Sequence, residues 1–323
     1  MEESKYYRVY SDYLRDKYGE KVYKLPISVV TTCPNRDGNV STGGCIFCGD
    51  EGGSFENFST DFKIKEQIDK NKARVAKRFK AKKFIAFFQN FTNTYMSLNK
   101  FKAMINEALV EDIIGISIST RPDCISDEYL SFLKEVEREH GVDINIEMGL
   151  QSVNYHTLKK LNRGHGLAEF IDAMMRIKKF GFTSCVHMIL NLPWDGMDDV
   201  IEGARIISAL GVDEIKLHSL YIVEKTAIGE MYRNGEFEMI SREDYIDRVI
   251  VFLENLNPEI AVQRLIGRAP EEGTLFVNWN TSWWKIKDMI VEEMERRGTY
   301  QGRKFNYLNG KALKKFNGDD IDG

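Results

Sequence analysis

Cysteine is scarce in this chain, five residues in 323, and the number is odd. A small, odd set argues against a disulfide framework and leaves metal binding, catalysis or plain burial as the uses of the thiols. The N-terminus, MEESKYYRVYSDYL, lacks the basic-then-apolar pattern of a secretory signal. No apolar run approaches the ~18 residues that suggest a membrane span. A cytoplasmic protein with no membrane partner is the expectation. Excess positive charge is also missing, since the formal net charge is −4. Indiscriminate binding to polyanions is therefore excluded, and any nucleic-acid site must be local. Low complexity and internal repeats are absent too, and 43% hydrophobic residues suffice for a sizeable core.

What is present is alternation. Short runs rich in β-branched and aromatic residues, at 25–31, 83–88, 113–119, 144–149, 183–190 and 212–218, alternate with helical patterns near 61–80, 98–110, 126–139, 154–161, 167–180 and 197–209. This is the signature of βα units around a parallel sheet. Gly181 and Gly211 follow two of the helical runs as C-terminal stops. The regularity fades after the sixth strand into a segment 219–240, a helix near 241–255, an extended run 260–266 and a helix near 282–297. The domain reading is an N-terminal helical extension (1–22), a core barrel (23–256) and a C-terminal extension packed on it (257–323), with a fraying tail from 308.

Three of the five thiols, Cys33, Cys45 and Cys48, share one loop after the first strand. Pro34, Gly38, Gly43 and Gly44 keep that loop from being a regular helix, and such a loop can wrap a cluster and aim backbone N–H groups at it. Thiolate is the soft ligand preferred by iron-sulfur clusters and by zinc. A structural zinc needs a fourth ligand, and none of the five histidines shows ligand spacing with the loop. Three ligands suggest an open site; zinc and three incidental cysteines are the other readings.

The spacing C-x11-C-x2-C, with CPNRDG and GGCIFC around the ligands, resembles a long variant of the cluster loop of the radical S-adenosylmethionine enzymes, whose commonest form is C-x3-C-x2-C. The long form resembles the bacterial branch related to the catalytic subunit of Elongator. FFQNFTNTY at 87–95, STRPDCI at 119–125, EMGLQS at 147–152, LNRGH at 161–165, NLPWD at 191–195 and RLIGRAP at 264–270 agree with it. The resemblance implies an α/β fold, a partial (β/α)6 TIM-like barrel with a C-terminal α/β extension. It implies a [4Fe-4S] cluster on Cys33, Cys45 and Cys48, and an open iron chelated by S-adenosylmethionine, which reduction cleaves to a 5′-deoxyadenosyl radical.

Polar residues at the C-terminal ends of the strands are then the candidates for cofactor contact. The family's Gly-Gly-Glu segment after strand two is missing here, and Gln89, Thr92 and Asn93 stand in its place. Gln151 and Arg163 resemble in their separation a ribose- or carboxylate-binding pair of the heme-pathway radical enzymes, and an arginine's planar fork suits a carboxylate. Glu147, Ser119, Thr120, His187 and Asn191 are possible cofactor or substrate contacts; a carboxylate such as Glu147 inside an apolar strand is costly unless paired. Buried inert thiols are the expectation for Cys124 and Cys185, with a substrate-facing Cys124 as the alternative.

Basic residues crowd two stretches, Lys63 to Lys83 and Arg296 to Lys315, with Phe79, Tyr300, Phe305, Tyr307 and Phe316 interleaved; a nucleic-acid face on which bases stack is one reading, a solvated helix face and a lysine-rich tail the other. Relatedness to the Elongator subunit implies transfer RNA as partner and the carbon-5 substituent of the wobble uridine as target, here remodelled from carboxymethylaminomethyl to aminomethyl. A reducing donor such as flavodoxin or ferredoxin is implied as well. A radical reaction on a small metabolite and a non-catalytic, metal-stapled RNA-binding module are the alternatives.

Overall fold

Six apolar runs form parallel strands in the order expected: β1 Val22–Ile27, β2 Lys83–Phe88, β3 Ile113–Thr120, β4 Asp143–Gln151, β5 Thr183–Ile189 and β6 Glu214–His218. The computed structural model describes residues 5–49, 59–79, 81–268 and 273–316, leaving aside the side chains of 76–79 and 314–316. Helices α1 Tyr10–Tyr18, α2 Ile64–Phe79, α3 Leu98–Ala108, α4 Asp127–His140, α5 Tyr155–Lys160, α6 Leu167–Phe180 and α7 Met197–Ala209 accompany the strands. Their apolar stripes, such as Phe170, Ala173, Met174 and Ile177 on α6, bury against the sheet and supply most of their stability. Gly181 closes α6 in the left-handed conformation, φ 75°, which releases the chain into β5 without a side-chain penalty.

The first strand lies three residues earlier than its apolar run suggests. Gln67 of α2 takes both backbone groups of Ser28, accepting from its N–H at 2.8 Å and donating to its C=O at 2.8 Å, so the chain leaves the sheet at that point. Pro26 is tolerated because β1 is an edge strand. The extended run near 260–266 becomes β8 Ala261–Arg264, a seventh parallel strand beside β6, so the sheet has seven strands where six were expected. Segments β7 Ile222–Val223 and β9 Thr274–Phe276 form a small antiparallel pair, and α8 Ala227–Arg233, α9 Arg242–Asn255 and α10 Trp283–Arg296 complete the chain.

The sheet runs β1-β2-β3-β4-β5-β6-β8 and leaves β1 and β8 as edges, so it curls into a partial TIM-like barrel. The N-terminal segment covers one edge: Val262 N–H donates to Arg8 C=O at 2.8 Å, and Val9 bridges Val262. Helix α1 then crosses beneath the barrel, where Leu14 packs with Val22 and Ile85, and the Tyr18 hydroxyl donates to Asp143 at 2.6 Å. The strands' N-terminal ends are thereby plugged, and the C-terminal ends carry the loops of interest. Among the described residues no helix is long and apolar enough to cross a membrane.

Candidate metal and cofactor centre

The cysteine loop is braced by the segment that follows α5. Asn162 adopts φ 52° and donates from Nδ2 to the carbonyls of Thr42, at 3.2 Å, and Gly44, at 2.8 Å. Its Oδ1 accepts from Ser41 Oγ at 2.9 Å, and its carbonyl accepts from Asn35 Nδ2. Gly164, φ 71°, packs so closely on the loop that a Cβ there would collide with Asn35 and Val40. A side chain at 164 would be strained by its backbone and would displace the loop. The LNRGH segment thus reads physically as the bed on which the thiol loop lies.

Each thiol faces a cation or a donor. Arg163 Nη1 donates to Cys45 Sγ at 3.2 Å, with Asn35 Nδ2 at 3.6 Å from the same sulfur. Arg121 Nη1 lies 3.8 Å from Cys33 Sγ, and Arg121 is itself held by a two-pronged pair with Asp123 at 2.8 and 2.7 Å. Arg36 and Arg163 both act on Cys48, whose thiol burial nevertheless pushes up to about 11. Guanidinium groups around three thiols suit a cluster that carries net negative charge when thiolate-bound and reduced. Among the described residues one trio of possible ligand atoms lies within 4.8 Å of one another, Glu147, Cys185 and His187. The loop thiols are not such a trio, whereas a tetrahedral zinc holds its sulfurs about 3.8 Å apart, so their spacing favours a larger group.

Arg163, the candidate for a cofactor contact, is placed with its fork against the thiol loop. Besides Cys45, it donates from Nη2 to the Gly149 carbonyl at 2.6 Å and lies 2.8 Å from His165 Nε2, which leaves Nε buried and without a partner among the described residues. Burial, then Arg163 and Arg121, push His165 down to about 3, so the ring is neutral and can accept from the guanidinium. Gln151 ends β4 at φ 76° after a bulge at Gly149/Gln151 that turns its amide back over Gly149. A Cβ on Gly149 would stand 2.8 Å from Gln151 Nε2. Gln151 Oε1 is buried with no partner among the described residues, as is Asn93 Oδ1. Such orphaned acceptors at the strand ends beside the thiol loop fit a polar cofactor rich in donors.

The other candidates divide. Gln89 stands half-buried at the end of β2, beside the barrel mouth. Asn93 donates to the carbonyls of Asn90 at 2.9 Å and Ser119 at 3.0 Å, tying the β2 and β3 ends together, while the Thr92 carbonyl accepts from Thr31 at 3.0 Å. Ser119 contributes that carbonyl, and Thr120 Oγ1 pairs with Thr94 Oγ1 at 2.6 Å. Asn191 clamps the β5 and β6 ends by accepting from Leu220 N–H at 2.5 Å. Cys124 lines a rim cleft of about 430 Å³ with Pro34, Asn39, Tyr95 and Tyr129. Its thiol is pushed up by burial and by Asp123.

Glu147 and His187 belong to a second region, inside the barrel. Glu147 is fully buried and accepts from Lys24 at 2.5 Å, Ser117 at 2.6 Å and His187 at 3.0 Å, and also from Lys216. Burial alone would raise its carboxyl; Lys216, Lys24 and His187 outweigh that and hold it well below the usual range. Burial pushes His187 down to about 4 against the pull of Glu147, so it is a neutral core ring stacked 5.2 Å from His218. Cys185 is buried alongside, 3.3 Å from Gln263 Nε2.

A curled parallel sheet with a three-thiol loop after its first strand defines a radical S-adenosylmethionine enzyme, and comparison agrees. Residues 27–207 match the radical SAM superfamily and residues 212–296 the radical SAM C-terminal domain, so the chain belongs to the radical SAM superfamily. It is 36% identical to the uncharacterised protein YtqA of Bacillus subtilis over 95% of both chains. It is 23% identical to the tRNA uridine(34) acetyltransferase of Methanocaldococcus infernus over 60% of this chain and 35% of that one. The solved structure of that archaeon's Elp3 with an N-terminal deletion superposes with a TM-score of 0.67 at 17% identity, covering 87% of this chain and 64% of its own. The enzyme uses a [4Fe-4S] cluster and S-adenosylmethionine, which together supply hydrogen-atom abstraction.

Proposed function

We propose that this enzyme acts on transfer RNA, remodelling the wobble-uridine C5 substituent from carboxymethylaminomethyl to aminomethyl, with Cys33, Cys45 and Cys48 as the cluster ligands. The observation that carries this reading is similarity to a tRNA uridine(34) enzyme through the radical core. The net change balances with S-adenosylmethionine as two-electron oxidant. The N–CH2 carbon loses a hydrogen atom and an electron, water adds its oxygen, and glyoxylate departs from the aminomethyl group. Methionine and 5′-deoxyadenosine are the other products. An electron donor such as flavodoxin or ferredoxin starts the cycle.

The chain's own residues hold the site. Arg163, Arg121 and Asn35 face the thiols, and Gln151 and Asn93 present amide oxygens at the strand ends, with Gln89 half-buried at the end of β2. Exposed Lys63, Lys65 and Arg74 on and before α2 have no carboxylate partner among the described residues and offer a local phosphate-binding face. The C-terminal basic group contributes less than its sequence suggests. Arg296 and Arg297 pair with Glu293, Arg297 also with Asp247, and Lys304 with Glu254. The side chains of Lys77, Arg78, Phe79, Lys314, Lys315 and Phe316, together with Lys80, lie outside those described.

Mass spectrometry of wobble nucleosides from a deletion strain and its parent tests the reading. Accumulated carboxymethylaminomethyluridine with loss of downstream aminomethyl forms is expected. Identical profiles contradict it.

A further inference from the structure

The barrel interior is not electrically balanced. Lys24, Lys216 and Arg264 all reach it, while the carboxylates there are Glu147 and Glu214. Both lysines are committed to Glu147, Lys24 also lying 3.9 Å from Glu214. Arg264 is the cation left over. Among the described residues no carboxylate comes within salt-bridge distance of its guanidinium, and its Nε is buried without a partner. Its Nη2 lies 2.9 Å from both ring nitrogens of His218, which burial and Arg264 hold neutral, so that contact satisfies a donor and cancels no charge. A half-buried guanidinium whose Nε is out of reach of water is costly without an anion, and the ordinary resolution is an anionic ligand.

Position says whose anion it is. The register sets Gly149, His187, Lys216 and Arg264 in one row across β4, β5, β6 and β8. At the Gly149 end sit Arg163 and the Gln151 amide, the groups beside the thiol loop. Three strand spacings of ~4.8 Å each separate that end from Arg264. Tyr221 is within electrostatic range of both Cys48 of the thiol loop and Arg264. Arg264 therefore stands in the same cross-strand row as the groups beside the thiol loop, three strands away from them.

We propose that Arg264, with His218 beside it, is the subsite for a carboxylate carried by the substrate. A guanidinium is suited to this by its planar, two-pronged donor geometry. The identity of the substrate rests on the wobble-uridine reading, in which the group to be removed ends in a carboxylate; the anionic subsite rests on the barrel alone.

The test is equilibrium binding to the cluster-loaded enzyme under anaerobic conditions. Its probes are the nucleoside 5-carboxymethylaminomethyluridine, the glycinamide counterpart that lacks the charge, and glycolate. The wild type is expected to bind the acid tighter than the amide by on the order of 10- to 100-fold. Arg264→Gln removes that preference, and Arg264→Lys restores part of it. Because the readout is a ratio on one preparation, incompletely folded variant does not mimic the result. S-adenosylmethionine affinity stays unchanged in Arg264→Gln. Equal binding of acid and amide by the wild type overturns the subsite, and so does loss of S-adenosylmethionine affinity, which would hand Arg264 to the cofactor. If neither nucleoside binds, Arg264-dependent binding of glycolate keeps the subsite and refutes the wobble-uridine substrate, whereas glycolate binding that ignores Arg264 overturns the subsite.

Discussion

The thiol loop and the barrel interior are both clusters of costly groups, yet they are built differently. At the loop, ligands and most braces come from short stretches, 33–48 and 161–165, and the Cys45 and Cys33 sulfurs meet guanidinium or amide donors. In the interior, Lys24, Ser117, Glu147, His187, Lys216 and Arg264 come from β1, β3, β4, β5, β6 and β8, one from each. The first region is prepared to receive a group from outside. The second is nearly complete in itself, with a single cation, Arg264, lacking a carboxylate partner among the described residues.

If the interior carries the fold, Glu147→Ala is the most damaging single change. It strands two buried ammonium groups and should cost about 3–5 kcal/mol of unfolding free energy in denaturant titration. A loss under 1 kcal/mol would mean that the lysines rehydrate and that the two regions do not differ as described.

Acid should act next, and also on the interior. A histidine whose folded pKa is depressed contributes stability that is fully present above its unfolded pKa, about 6.5, and is lost as pH falls toward the folded value. His187, at about 4, and His218, held well below its usual value, therefore predict a falling unfolding midpoint between pH 6.5 and 4, worth roughly 1–3 kcal/mol. A flat midpoint over that window would show the rings protonating in place.

The loop responds differently. Asn162→Ala removes two donors to the loop backbone and should cost about 1–2 kcal/mol. Its sharper effect is on loading, with iron and sulfide content after reconstitution falling while the far-ultraviolet spectrum is kept. Full loading of that variant would show that the loop organises itself.

The same contrast explains what was legible beforehand. The barrel class follows from alternation, and the thiol loop from spacing within 16 residues, because both signals are local. Glu147 was visible as a carboxylate that must be paired, but its partners Lys24 and Lys216 lie 123 and 69 residues away, and no periodicity marks them. Arg163 was found for its type, while its use, toward Cys45 and Gly149, depends on the bed formed by Asn162 and Gly164. The seventh strand was seen only as an extended run because Ala261–Arg264 is short and follows a long α-helical excursion. The basic C-terminal group looked like a nucleic-acid face although Glu293, one helical turn before Arg296 and Arg297, was readable as their partner; Asp247 and Glu254, which neutralise more of it, lie on α9, which the sequence does not show to be adjacent.

The most direct measurement is anaerobic turnover of the reconstituted enzyme with dithionite and S-adenosylmethionine, assayed for 5′-deoxyadenosine with and without transfer RNA bearing carboxymethylaminomethyluridine. Release by the wild type that rises with this RNA, appears with aminomethyluridine, and vanishes in the Cys33, Cys45, Cys48 triple alanine variant is the predicted result. A fully loaded wild type that forms 5′-deoxyadenosine while leaving the RNA unchanged would contradict the assigned substrate, and one that forms none would contradict radical chemistry at this loop.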